Sequence, residues 1–236
     1  MASLAQRQIA EPTEIQTLTV PPGLSGRDIC GKAPTGSGKT IAFGLILVER
    51  LRQFTQGRPS GLVLVPTREL AQQVQREIHL LDVDRKFFTT SVFGGAGYGP
   101  QVQRLRRCSI VVATPGRLED LMKRRDIDLR DVRMVVIDEA DRMADEGFLP
   151  QVEWILRHVM GPHQTMLFSA TLDGQVGTLV RRYMREPAEV SIDAPTATVG
   201  TMRHLFLAVH RMDKDRVIEA IARAGGQTVE IGRAHV

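Results

Sequence analysis

The stretch that most constrains this chain is APTGSGKT, Ala33 to Thr40. The residues before it, GRDICG, form a short apolar run between glycines and read as a strand. Those after it, IAFGLILVERLRQF, have helical periodicity. Strand, glycine-rich loop, Lys-Thr, helix is the setting in which such a loop cradles phosphate. Gly36 and Gly38 let the backbone curl, so the N–H groups along Thr35, Gly36, Ser37 and Gly38 can turn toward phosphate oxygens. Lys39 can reach the terminal phosphates and the Thr40 hydroxyl can ligate Mg²⁺, while the dipole of the following helix points at the same anion. The strict pattern asks for Gly where the chain has Ala33. Taken alone, a Gly-rich turn capping a helix would use the same residues.

The rest of the chain repeats this strand-then-helix rhythm. EPTEIQ, Glu11 to Gln16, has the Pro and early acids of a helix N-terminus. Beyond Thr40, Ile41, Leu45, Val48 and Leu51 recur at helical spacing, and Leu62–Val65 is a buried-strand candidate. PTRELAQQVQREIHLL places Leu70, Val74 and Ile78 on one helix face. Thr89–Phe93 is a strand ended by GGAGYG, and QVQRLRR is a short basic helix. SIVVATPGRLEDLMKR reads as strand, turn at Thr114-Pro115-Gly116, then helix. Met134–Ile137 is a strand running into acids, and GFLPQVEWILRHVM is an amphipathic helix with Pro150 in its first turn. QTMLFSAT is a strand, DGQVGTLVRRYM a helix and AEVSID a closing strand. The alternation predicts an α/β fold: a mostly parallel sheet with helices on both faces, in three layers. Ligands of such sheets bind at the carboxyl ends of the strands. APTGSGKT, PTREL, GGAG, TPGR, DEAD and SAT all directly follow strands, which places them on one rim.

Composition permits this reading without directing it. The 236 residues are 42% hydrophobic and 25% charged, ordinary for a globular protein. No apolar run reaches the ~20 residues of a membrane span, and MASLAQRQIAEP lacks the apolar core of a secretory signal. Cys30 and Cys108 sit in no paired-spacing motif, and Cys30 lies in a buried strand, so a reducing, cytoplasmic setting is expected. The net charge of +4 permits an anionic partner without demanding one. Arg104, Arg106 and Arg107, then Lys123, Arg124 and Arg125, then Arg181 and Arg182 form basic groups that could equally be solvated helix faces.

Asp138-Glu139 follow the apolar run Met134–Ile137. A carboxylate at the end of a buried strand in the same sheet as a phosphate loop is the usual second half of a nucleoside-triphosphate site. Asp138 would hold Mg²⁺, directly or through water. Glu139 would orient and deprotonate the attacking water.

Taken together, these motifs resemble the first RecA-like, P-loop domain of the DEAD-box ATP-dependent RNA helicases, over Ala10 to Asp193. Asp138-Glu139-Ala140-Asp141 spell the family's name, and APTGSGKT is similar to its phosphate loop, Ala33 included. EPTEIQ resembles its adenine-reading motif, PTRELA and TPGR its RNA-contact motifs, and Ser169-Ala170-Thr171 its coupling motif. The resemblance implies ATP and Mg²⁺ as cofactors, with Gln16 hydrogen-bonding adenine and Thr35 to Thr40 holding the phosphates. It implies Glu139, Lys39 and Asp138 as catalytic residues, and Thr40 and Asp138 as metal ligands. Thr67, Arg68, Gly95, Thr114 and Arg117 would touch the RNA backbone, giving low sequence specificity. Asp141, Ser169 and Thr171 would couple the nucleotide site to domain closure. An aromatic ring that the family stacks on adenine has no counterpart before Phe43, so either the start is truncated or adenine is held more weakly. Asp145 and Glu146 replace residues that are more often apolar.

The expected organisation is an ATP-binding helicase domain over 1–194, a linker over 195–201, the beginning of a C-terminal RecA-like domain over 202–229 and a non-native tail over 230–236. The tail reading rests on EIGRAHV, which does not continue the apolar strand expected after QTV. In the last part MRHLFLAVHR reads as a strand, KDRVIEAIARAGG as a helix capped by Gly225 and QTV as a strand start. Arginine fingers belong to the second domain, so the expected behaviours are ATP-dependent RNA unwinding by a two-domain whole, or nucleotide-dependent RNA binding with negligible turnover by this chain alone. A related DNA helicase is a third reading, against which EPTEIQ, PTRELA and SAT argue. No membrane partner is expected, and protein partners and RNA target are not encoded legibly.

Overall fold

A computed structural model of the chain describes Leu4 and residues 9–52, 59–192 and 208–225. The chain falls into two compact units, Met1–Pro195 and Thr196–Val236. The first holds a seven-stranded sheet in the order β3-β4-β2-β5-β6-β1-β7. Its strands are β1 (Ile29–Lys32), β2 (Gly61–Leu64), β3 (Thr89–Val92), β4 (Ile110–Ala113), β5 (Met134–Asp138), β6 (Gln164–Ser169) and β7 (Ala188–Ser191). Every pairing is parallel.

Parallel strands need crossovers, and helices supply them. They are α1 (Glu14–Leu24), α2 (Lys39–Leu51), α3 (Arg68–Leu81), α4 (Tyr98–Leu105), α5 (Pro115–Lys123), α6 (Ala140–Asp145), α7 (Leu149–Leu156) and α8 (Gly174–Tyr183). Strand alternation sends side chains to two separate cores. Leu62, Leu64, Val135, Ile137 and Leu167 meet Leu118, Met143, Val152 and Val176 on one face. Val63, Val136, Met166 and Phe168 meet Ile15, Phe43, Ile46, Val74 and Ile78 on the other. Each fully buried side chain of this kind contributes about 1.5–3 kcal/mol. Gly31 of β1 is needed for close packing, because a Cβ there would stand 2.6 Å from the Phe168 ring. The expected three-layer α/β architecture is therefore present.

Two polar clamps fix the sheet's lower end. Asp28, 8% exposed, accepts from the backbone N–H of Thr165 at 2.8 Å and of Arg185 at 2.7 Å. Gln164 Nε2 donates to the carbonyls of Gly23 and Arg27. On the edge strand, Gln75 of α3 donates to the Thr89 carbonyl at 3.2 Å and accepts from the Ser91 hydroxyl at 2.6 Å.

Several boundaries differ from the sequence expectation. Thr114-Pro115-Gly116 is not a turn: Pro115 opens α5, where its fixed φ suits the first helical position and its missing N–H costs nothing. The strand before the acids includes Asp138. Leu70, Ile41 and Leu45 are only partly buried; the inward faces of α3 and α2 are Ala71, Val74, Ile78 and Leu81, and Ala42, Phe43, Ile46 and Leu47. Helix α7 stops at Leu156, short of the amphipathic run through Met160.

In the second unit, a 3₁₀ turn (Arg211–Asp213) leads into α9 (Lys214–Gly225). Gly225 lies inside that helix rather than capping it. Residues 208–210 are irregular; the remainder of the expected strand, the linker, and the segment from Gly226 onward lie outside the described residues. Among the described residues, no helix is long and apolar enough to cross a membrane.

Candidate functional site

The strand order divides the carboxyl rim into two halves. The adjacent strands β5, β6 and β1 carry DEAD, SAT and the phosphate loop. The adjacent strands β3, β4 and β2 carry GGAG, TPGR and PTREL.

In the first half, the loop from Ala33 to Gly38 joins β1 to α2. Gly36 and Gly38 have φ of +82° and +97°, the left-handed region that favours glycine. A Cβ at Gly36 would meet nothing within 4 Å, so the loop opens there. One at Gly38 would lie 2.6 Å from Gln16 Nε2. Lys39 is buried, and its Nζ donates to the carbonyls of Ala33 at 2.8 Å and Pro34 at 2.9 Å. The ammonium thus closes the loop on itself while remaining at its mouth. The Ser37 hydroxyl is buried and has no hydrogen-bond partner. An orphaned hydroxyl in a glycine-rich loop at the head of a helix is what a phosphate oxygen would satisfy.

Asp138 ends β5, buried at 3% exposure, and its Oδ1 accepts from Glu139 N at 3.0 Å. Burial pushes its carboxyl up to about 7, against the pull of the neighbouring Lys39 ammonium. Glu139 stands at the head of α6 with φ +54°, unusual for a residue with a side chain. Its Oε2 lies 3.5 Å from Arg142 Nη1. Asp141 N donates to the buried Ser169 hydroxyl at 3.1 Å, and Ala170 N donates to Asp141 Oδ2 at 3.1 Å. These bonds tie the DEAD turn to the end of β6. Thr171 stands exposed just beyond.

Gln16 belongs to the same half but is not a free donor–acceptor pair. Its Nε2 donates to the Gly38 carbonyl at 3.2 Å and its Oε1 accepts from Thr13 N at 3.1 Å. It is a strut between α1 and the loop, and its second N–H and second oxygen lone pair are what remain to meet a base edge. Beside it lies a cavity of about 820 Å³, lined by Leu4, Ile9, Pro12, Val20 and Leu45. The sequence showed no aromatic platform here; the aliphatic one is assembled from two segments and has no local signature.

In the second half, the Thr67 hydroxyl accepts from Leu70 N at 3.2 Å and so caps α3. Arg68 is exposed, its guanidinium 4.9 Å from the Phe93 ring centroid. Gly95 is exposed with φ +74°. Thr114 is partly buried at the head of α5. Arg117 departs from an exposed ligand contact. It is 8% exposed, donates to the Ala96 carbonyl at 3.0 Å and stacks 4.1 Å from the Tyr98 ring centroid. It holds the GGAG loop from beneath. Gln101, unremarked in the sequence, secures that loop too: its amide brackets Phe93, accepting from the N–H at 3.1 Å and donating to the carbonyl at 3.2 Å.

Cys30, within β1, and Cys108 are buried free thiols. Burial pushes them up to about 11 and about 12, so both are neutral and inert as ligands. Among the described residues, no group of three His, Cys, Asp or Glu comes together that could cage a metal by itself.

Comparison with known proteins agrees with this geometry. A family model described as DEAD/DEAH box helicase matches residues 13–179. The DEAD-box ATP-dependent RNA helicase CshA of Bacillus subtilis (strain 168) is 40% identical over 215 residues, covering 91% of this chain and 43% of that protein. The ATP-dependent RNA helicase CshA of Listeria monocytogenes is 38% identical over 212 residues, covering 89% and 41%. The chain thus spans less than half the length of these relatives. Among solved structures, a hypothetical ATP-dependent RNA helicase from Sulfolobus tokodaii superposes with a TM-score of 0.75 at 34% identity, over 81% of this chain and 56% of that one. A DEAD box protein from Methanococcus jannaschii gives 0.75 at 30%, over 94% and 59%.

Proposed function

This chain belongs to the DEAD/DEAH box helicase family, and on that premise we propose that it is the ATP-binding part of an ATP-dependent RNA helicase. The observation that supports this most is the partition of the rim, which sets a phosphate loop, a buried carboxylate and a Ser–Asp tie on three neighbouring strands, beside a flank of backbone-contact motifs. ATP phosphates would occupy the loop, taking the Lys39 ammonium from the carbonyls of Ala33 and Pro34 and satisfying Ser37. The base would lie against the aliphatic cavity beside Gln16.

The donor set fits Mg²⁺. Asp138 and Thr40 offer oxygen ligands at the loop, and a cation that keeps most of its waters and takes phosphate oxygens needs no protein cage. When bound, the ion would neutralise charge on the phosphates and leaving group. Glu139 would orient the attacking water and take its proton; its strained backbone at the head of α6 fixes the carboxylate there. Arg142, 3.5 Å away, restrains that carboxylate laterally. Arg68, Gly95 and Thr114 would hold the sugar-phosphate backbone of RNA, with Arg117 supporting the loop that carries Gly95. A reducing, cytoplasmic compartment suits the two buried thiols.

RNA-stimulated ATP hydrolysis tests the proposal. Glu139→Gln should keep ATP affinity and lower any turnover by about 10²–10⁴-fold. Unchanged turnover would remove Glu139 from its role. ATP-dependent RNA binding without turnover in the unaltered chain would favour the binding-module reading instead.

A further inference from the structure

At the end of the sheet opposite the rim, the edge strand β3 begins beside a groove of about 830 Å³. Its walls come from the last turns of α3, the segment entering β3, and the end of α4. Arg76, Lys86, Arg104 and Arg107 line it, all exposed, and none is ion-paired among the described residues. No carboxylate lines it. Asp82 and Asp84, which precede Lys86 in the chain, are already committed: Asp82 Oδ2 accepts from Phe87 N at 2.8 Å, and Asp84 pairs with Arg52 at 2.9 Å.

The groove also offers an aromatic face. Phe88 is 41% exposed, with the Arg107 guanidinium 5.6 Å from its ring centroid. The hydroxyls of Thr89 and Thr90, which line the groove, are buried and have no hydrogen-bond partner. Unpaired cations that track a phosphodiester, interleaved with an aromatic face that stacks a base, are the pattern of single-strand binding. An acidic peptide would use the cations and leave Phe88 without a stacking partner.

Position adds to this. Strand β3 leads from the groove at Thr89 to the GGAG loop after Val92, a rise of about 10 Å. Helix α3 runs the other way, from Arg68 at the rim to Arg76 at the groove. A strand of RNA leaving Gly95 therefore meets the groove by continuing along one edge of the sheet.

We propose that this groove is a second, sequence-independent site for single-stranded RNA, continuous with the rim. The inference rests on the RNA-binding reading of the rim. Its test is fluorescence anisotropy of the 236-residue chain with labelled oligouridines, one of about 6 and one of about 20 nucleotides, the second long enough to exceed a single site. The unaltered chain should bind the longer RNA more tightly. The Arg104→Glu/Arg107→Glu double variant should lose about tenfold for the long RNA and little for the short one, and its salt slope on the long RNA should fall by about 1.4. Phe88→Ala should lose about tenfold on the long RNA alone. The milder Arg104→Gln/Arg107→Gln pair, checked for an unchanged thermal midpoint, guards against a folding defect. Equal loss on both lengths, or none on either, overturns the groove while leaving the rim reading intact. Polyglutamate binding that disappears in the variants while RNA binding persists also overturns it, in favour of an acidic partner. If the unaltered chain binds neither RNA, the rim reading fails and the groove with it.

Discussion

At the scale of single residues, the same side-chain types take opposite roles according to burial. Arg68 and Arg117 both follow strands in motifs whose resemblance implies nucleic-acid contact, yet only Arg68 is exposed. Arg117 spends its guanidinium on the Ala96 carbonyl and the Tyr98 ring. Arg117→Ala should therefore destabilise the fold by about 2 kcal/mol, since a partly buried carbonyl loses a charged donor and the Tyr98 ring its cation. That corresponds to a drop of about 4–8 °C in thermal midpoint, read by calorimetry. Cys108 carries a pH signature. Its folded thiol is pushed by burial from an ordinary 9.0 to about 12. A raised folded value means the stabilisation is whole below pH 9 and is lost as pH rises, because the unfolded thiol releases a proton the folded one keeps. Between those limits stability should fall by about 1.4 kcal/mol per pH unit from this group. Denaturant midpoints for Cys108→Ala should fall less steeply over the same range. A parallel decline would refute that assignment. Such differences of environment are invisible in a one-dimensional string: APTGSGKT and DEAD announced Lys39 and Asp138, while nothing local distinguished Arg117 from Arg68.

At the scale of elements, caps and glycines decide where the functional loops sit. Thr67 caps α3, the helix that carries Arg68. Thr67→Ala should cost about 1 kcal/mol and, by fraying the first turn, weaken RNA binding as well. The Gly38 conformation and its 2.6 Å approach to Gln16 leave no room for a side chain. Gly38→Ala should abolish measurable ATP binding in calorimetric titration while the far-ultraviolet dichroism of the fold persists. Retained affinity would mean that the loop opens differently from the arrangement described. The periodicity of α2 and α3 was legible: Val48, Leu51, Val74 and Ile78 are buried as expected, while Ile41, Leu45 and Leu70 fall at the margin of the buried face. Both helices are flanked by other helices as well as by the sheet, so the apolar stripe is broad and its centre is set by packing. The reading of Thr114-Pro115-Gly116 as a turn failed for a related reason. Pro and Gly are turn formers and equally good residues for a first helical turn, and only the strand before them selects which.

At the scale of the whole molecule, coupling between the two halves of the rim is the property to measure. Asp141 joins α6 to the end of β6 by two hydrogen bonds, its N–H donating to the Ser169 hydroxyl and its carboxylate accepting from Ala170 N. Ser169→Ala should leave ATP and RNA binding separately near their original affinities and reduce the enhancement of each by the other, a reciprocal effect that both titrations must show equally. Loss in one titration alone would refute a coupling role. The sequence by itself determined the repeating strand–loop–helix order, the placement of every motif after a strand, and the glycine-rich loop before Lys39, because these depend on residues close together in the chain. Only the tertiary structure decided which motifs are neighbours. The order β3-β4-β2-β5-β6-β1-β7 separates a proposed nucleotide flank from a proposed backbone-contact flank, although in the chain PTREL, GGAG and TPGR stand between APTGSGKT and DEAD. It also turned Gln16 into a strut, buried Arg117 beneath a loop and gathered basic side chains at the foot of β3. The physical reason is that strand order follows from how side chains on both faces of the sheet pack against distant helices, and that packing is a property of the assembled core rather than of any window of residues.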